Sequence, residues 1–158
     1  MRAELLKGGY HDGQRELVRI VESVLGRADL ARLDDAFGRY ERDHVPGETR
    51  AVPLHCDLKP DHVLCQGGRL SAVIDWGDVS LGDPDFDLAV FAMFFGSGML
   101  VRLLEHVPDR DPARVLDKTR FFTTLRWTQD LAFDLRRGDS EATDSALERL
   151  GEHLRRAA

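Results

Sequence analysis

The sequence predicts an α+β fold, mostly helical, with a short β-hairpin region set between two helical stretches. Three observations predict it. Apolar residues recur at helical spacing over 14–40, short apolar runs broken by polar turns occupy 51–74, and residues 88–95 are apolar without interruption. A chain of 158 residues suits one domain, 1–158, and can bury roughly two thirds of the surface that its unfolded form exposes. By pattern it divides into a helical hairpin over 1–50, hairpin loops over 51–82, and a buried helix with C-terminal helices over 83–158.

In Gln14–Leu25 the residues Leu17, Val18, Ile20, Val21, Val24 and Leu25 make one helical stripe, and Leu30, Leu33, Ala36, Phe37 and Tyr40 make the next. Gly26 and Asp29 between them stop one helix and start the other. Short strands follow at Ala51–Leu54, Val63–Cys65 and Leu70–Ile74, the last two joined through Gly67-Gly68, which suits a tight hairpin turn. Asp83-Pro84 reads as a helix start, since an aspartate oxygen caps free amides and proline's fixed φ suits the first helical position. The helix runs from about Pro84 to Phe95, and its apolar residues on every side predict that it forms the core. Gly96-Ser97-Gly98 ends it, and three helices follow near Met99–His106, Pro112–Arg137 and Ser140–Arg156.

Composition narrows the function. Hydrophobic content of 42% and charged content of 32% are those of a globular chain. A net charge of −6 argues against nucleic acid as a partner and tilts towards a cationic one. The two cysteines, Cys56 and Cys65, fit no zinc spacing and are too few for a disulfide framework. No apolar run reaches the roughly 18 residues of a membrane span, and MRAELLKGGYHDG lacks the pattern of a signal peptide, so a cytoplasmic location without membrane contact is expected.

The chemistry concentrates in VPLHCDLKPDHVLCQGGRLSAVIDWGDVSLGDPDFDLAVFAMFF, Val52 to Phe95, which puts Asp57, His62 and Asp75 on two turns joined by a short hairpin. Phosphoryl transfer to an alcohol needs a carboxylate beside the attacking hydroxyl, oxygen ligands for magnesium, and positive charge over the transferred group. Asp57, directly after a short strand, suits the first task. Asp75 offers the hard oxygen that Mg²⁺ prefers, and Lys59 offers the positive charge.

His55-Cys56-Asp57-Leu58-Lys59-Pro60-Asp61-His62 resembles the catalytic loop of the aminoglycoside phosphotransferase family and the related loop of protein kinases. Val73-Ile74-Asp75-Trp76-Gly77-Asp78 is similar to the family's metal-binding segment, and Gly82-Asp83-Pro84 with Asp87-Leu88-Ala89 to the opening of its central buried helix. The resemblance implies the C-terminal lobe of a protein-kinase-like fold, with Asp57 as catalytic base, Asp75 as principal metal ligand, and Asp87 bracing the catalytic loop. It implies Mg²⁺, ATP or GTP as co-substrate, and a small-molecule hydroxyl as acceptor. At His62 the family usually has Asn, whose oxygen helps to hold the metal. Three roles are open to the imidazole: binding the metal, binding a phosphate oxygen, or fixing Asp57. Histidine here is a variant of the macrolide and 2″-aminoglycoside phosphotransferase branches, which points to an antibiotic acceptor. The strand-rich N-terminal lobe of such enzymes has no counterpart in this sequence. Gly8, Gly9 and Gly13 follow no strand and read as turn glycines rather than a phosphate loop. A separate N-terminal lobe is therefore an expected partner.

Blander readings compete at several positions. Asp78 is explained as an exposed turn residue, Lys59 equally by phosphate contact or by solvation, and His55 by packing and hydrogen bonding rather than proton transfer. Trp127, Asp130 and Asp134 share a helix face, which suits a cationic substrate; Arg126 and Arg137 are spaced to neutralise the same aspartates. Two other function classes stand beside the phosphotransferase. One is a non-catalytic remnant or pseudokinase-like binding module. The other is a metallohydrolase gathering His55, Asp57, His62 and Asp75 around one metal.

Overall fold

The computed structural model describes residues 10–44, 51–107 and 110–157. Helices α1 (Tyr10–Val21) and α2 (Arg27–Asp43) come first. A region of short strands follows: β1 (Val52–Leu54), a 3-10 turn at Pro60–His62, β2 (Val63–Gln66), β3 (Arg69–Val73), a second 3-10 turn at Trp76–Asp78, and β4 (Ser80–Gly82). Helices α3 (Asp85–Phe95), α4 (Ser97–Leu104), α5 (Pro112–Arg137) and α6 (Ser140–Ala157) complete the order. Among the described residues, 51–107 with 110–122 form one compact unit and 10–44 with 123–157 form another.

In the first unit the strands make two separate antiparallel ribbons. β2 and β3 pair from Val63↔Val73 to Gln66↔Arg69, with a bulge at Leu64/Cys65. Gly67 and Gly68 between them have φ of 58° and 75°, the left-handed pair that a two-residue hairpin turn requires. The second ribbon was not expected from the sequence. β1 pairs with β4 through Val52↔Gly82, Pro53↔Leu81 and Leu54↔Ser80, and so returns the chain beside the start of the loop that carries Asp57.

α3 starts as expected. Asp83 Oδ1 accepts from the Asp85 amide at 3.0 Å, the Asp83 carbonyl accepts from the Phe86 amide, and Pro84 already has helical angles. The expectation that this helix is core on every side needs correction. Phe86, Ala89 and Val90 are buried, whereas Phe91 and Phe95 stack on one another half-buried and Phe94 is exposed. Leu100, Leu104 and Val115 form a core cluster on which Leu88, Ala92, Leu103 and Leu116 pack. The Phe86 and Phe122 rings meet edge to face at 5.6 Å.

In the second unit, α2 packs on α6, and Leu17, Val21, Leu33, Phe37, Leu131, Leu150 and Leu154 are buried. Gly151 marks the close approach: a Cβ there would lie 2.9 Å from Arg155 Nη1, which itself pairs with Asp29 at 3.1 Å. Some boundaries differ from expectation. α1 ends at Val21, and the Val24 and Leu25 amides close a turn on the Val21 carbonyl. Gly26 caps α2 in extended conformation, while Asp29 sits inside the first turn and pairs with Arg32. Gly13 lies within α1 rather than in a turn; Gly8 and Gly9 lie outside the described residues. No helix among the described residues is long and apolar enough to cross a membrane.

Candidate active site

The loop after β1 is shaped by Asp87. Its carboxylate accepts from the His55 amide at 2.7 Å and the Cys56 amide at 2.8 Å, so both oxygens of one buried-helix residue hold consecutive backbone groups. Cys56 has a φ of 65°, uncommon for a residue with a Cβ, and a strained loop of this kind persists where its surroundings over-determine it. His55 adds a second tie. Its Nε2 donates to the Ile74 carbonyl at 2.8 Å, which leaves Nδ1 to accept from the Asp57 amide at 3.3 Å. Both ring nitrogens therefore engage backbone, joining the loop to the end of β3.

Asp57, Lys59, His62 and Asp75 converge around the 3-10 turn that Pro60 opens. Lys59 Nζ lies 2.9 Å from Asp57 Oδ2. The His62 imidazole is buried. Its Nδ1 donates to the Asp57 carbonyl at 2.9 Å, and Nε2 lies 3.2 Å from Asp75 Oδ2. The Ile74 amide donates to the His62 carbonyl at 3.0 Å, which clamps the two ends of the hairpin together. Asp75 adopts left-handed angles, φ 61° and ψ 60°, that Asp tolerates better than most residues. Its side chain is 63% exposed, so one hard carboxylate faces solvent beside the turn. Asp78 is half-buried at the end of the second 3-10 turn.

Among the described residues, no group of three or more His, Cys, Asp or Glu side chains is disposed to hold a metal. The open Asp75 carboxylate instead fits an ion such as Mg²⁺, which is commonly bound by one or two carboxylates and completed by phosphates and water. The metallohydrolase arrangement has a geometric obstacle. Both nitrogens of His55 and the Nδ1 of His62 are engaged by backbone, which leaves His62 Nε2 as the one imidazole nitrogen facing Asp75.

Trp127, Asp130 and Asp134 belong to the second unit, on α5. Arg126 Nε lies 3.2 Å from Asp130 Oδ1, the pairing that its spacing suggested, while the Arg137 guanidinium lies over Phe133 at 5.3 Å. Arg149, which the sequence did not single out, lies over the Trp127 ring at 4.9 Å.

Sequence reasoning also passed over Leu64 and Ile74 in the first unit, apolar side chains left 42% and 41% exposed. Their signal was adjacency: Ile74 precedes Asp75, and Leu64 follows His62 by two residues on the same ribbon. Trp76 follows Asp75, its Nε1 donating to the Val73 carbonyl at 2.9 Å and its ring 4.7 Å from that of His55.

Comparison with known proteins bears on the family and the fold. Viomycin phosphotransferase from Streptomyces vinaceus is 39% identical over 66 residues, 39% of this chain and 23% of that protein. The GDP complex of wild-type aminoglycoside 2'-phosphotransferase-IIIa superposes with a TM-score of 0.84 at 23% identity, covering 95% of this chain and 53% of that one. Macrolide 2'-phosphotransferase type I superposes with a TM-score of 0.63 at 25% identity, covering 88% and 47%. The chain thus spans about half the length of these two structures. Its fold is the kinase-like one of aminoglycoside phosphotransferases. The model of the phosphotransferase enzyme family, APH, matches residues 5–122, a span that takes in α1, the loop of Asp57 and α3 and ends within α5, and to that family this chain belongs.

Proposed function

We propose that this chain is the acceptor-side half of a phosphotransferase that moves the γ-phosphoryl group of ATP or GTP to the hydroxyl of a small molecule. The observation that carries the reading is the convergence of Asp57, Lys59 and His62 on one turn with Asp75 3.2 Å from His62. The Asp57 carboxylate orients the acceptor hydroxyl and takes its proton as the oxygen attacks the γ-phosphorus. The bond from that phosphorus to the β,γ-bridging oxygen then breaks, and the nucleoside diphosphate leaves. Lys59, 2.9 Å from Asp57, places positive charge against the oxygens of the transferred group. Asp75, with His62 beside it, would hold Mg²⁺, which when bound neutralises charge on the phosphates. Leu64 and Ile74 give a purine base an apolar floor next to that site.

The strand-rich nucleotide half is supplied by a further segment or partner. The acceptor is a hydroxylated cation of the antibiotic type. A cytoplasmic location, where nucleoside triphosphates are available, completes the reading. Calorimetric titration with Mg-ATP and Mg-GTP tests it on the chain alone, and a fusion to the nucleotide half of a related phosphotransferase tests it as a whole. The fusion is expected to transfer phosphate to an amino-sugar acceptor. A folded fusion that binds Mg-nucleotide and transfers nothing to any hydroxylated acceptor supports a non-catalytic binding module instead.

A further inference from the structure

The phosphoryl-transfer chemistry does not use the charges buried in the first unit at the start of α3. Asp83, Asp85 and Lys118 are all buried. Lys118 Nζ lies 2.6 Å from Asp83 Oδ2 and 3.1 Å from Asp85 Oδ2, and Arg110 Nη1 lies 2.9 Å from Asp85 Oδ1. Two carboxylates and two cations balance. Desolvating them is nonetheless expensive, and apolar residues of similar volume often hold a helix in place at least as well. What the ions add is a fixed geometry. The start of α3 is gripped at Asp83, two residues before the helix, and at Asp85, its first residue, and Asp83 also holds the Asp85 amide. Asp87 stands two residues further along, and its carboxylate holds the His55 and Cys56 amides. Those are the residues directly before Asp57, and Cys56 is in the left-handed conformation that such a grip must maintain.

We infer that Lys118 is a positioning residue for Asp57, acting through Asp83 and Asp85 on the first turn of α3, and through Asp87 on the catalytic loop. Its consequence for turnover rests on the phosphotransferase reading; its consequence for the loop does not. The test is amide hydrogen exchange on the chain alone, without nucleotide, comparing the natural protein with Lys118→Met and Lys118→Arg.

In Lys118→Met, the His55 and Cys56 amides are expected to exchange roughly tenfold faster or more, while the Leu100 and Leu104 amides of the same unit stay within about twofold. Lys118→Arg, which keeps the charge, restores protection at His55 and Cys56. Uniform acceleration of all four amides would reduce Lys118 to a stabiliser of the unit, and unchanged exchange at His55 and Cys56 would break the proposed path; either overturns the inference. Should Lys118→Met not fold, Asp85→Asn is read by the same two criteria. Because no step of the test involves phosphoryl transfer, failure of the functional reading leaves its result standing, and the reverse holds as well.

Discussion

The His62 imidazole joins Asp57 to Asp75: Nδ1 donates to the Asp57 carbonyl at 2.9 Å, and Nε2 lies 3.2 Å from Asp75 Oδ2. One buried ring thus sets the spacing between the proposed base and the proposed metal ligand. Of the three roles that the sequence left open for His62, fixing Asp57 corresponds to the Nδ1 contact, while the Nε2 contact is made to Asp75.

This bridge predicts that His62→Ala weakens Mg-nucleotide binding about 10-fold to 100-fold, the range seen when a group orienting a metal ligand is removed. His62→Asn is expected to recover part of that loss, since an amide oxygen is a better Mg²⁺ ligand than an imidazole nitrogen. Calorimetry at varied Mg²⁺ separates the two variants. Equal nucleotide affinity in His62→Ala and the natural chain would show that the bridge has no part in binding.

Asp57→Asn keeps the shape of the loop and removes the proton acceptor. In the fusion with a nucleotide half, kcat is expected to fall about 10²-fold to 10⁴-fold, the usual contribution of a positioned base, with acceptor KM little changed. A loss confined to KM would make Asp57 a binding group and remove it from the chemistry.

Much of this arrangement was legible because local rules and tertiary structure agree. The Gly67-Gly68 turn, the Asp83-Pro84 helix start, and the periodic stripes of α1 and α2 are all encoded locally. The parts that escaped are non-local. β4 is three residues long and pairs with β1 across the whole hairpin, so it has no alternation of its own to reveal it. Cys56 carries no residue signal for a left-handed φ, because Asp87, 31 positions later, helps to impose it. Lys118 carries no local signal, because the two aspartates around it stand far earlier in the chain. α3 erred in the other direction: an unbroken apolar run reports composition, and composition alone did not show that Phe94 faces solvent.

Gly96 ends α3 with φ 84° and ψ 154°, a region essentially confined to glycine. A Cβ there would meet nothing within 4 Å, so packing raises no objection to a larger residue. Gly96→Ala is still expected to cost about 1–3 kcal/mol through backbone strain, read as a lowered midpoint in urea with an unchanged slope. A midpoint equal to that of the natural protein would mean that the α3–α4 corner adopts another conformation in solution.

Asp75 gives the sharpest separation of fold from function, because its backbone is left-handed while its carboxylate is open to solvent. Asn tolerates that conformation as Asp does, whereas Ala does not. Asp75→Asn is therefore expected to leave the urea midpoint within error and to abolish the Mg²⁺ dependence of nucleotide binding, since it removes the charge and preserves the turn. Asp75→Ala should lose the same binding and also about 1–2 kcal/mol of stability, the cost of a left-handed residue with an ordinary Cβ. The two variants matched for binding and unmatched for stability would place Asp75 in the metal site by its charge alone. Retained Mg²⁺ dependence in Asp75→Asn would exclude it from that site, and the metal would then have to be sought at Asp57 and Asp78.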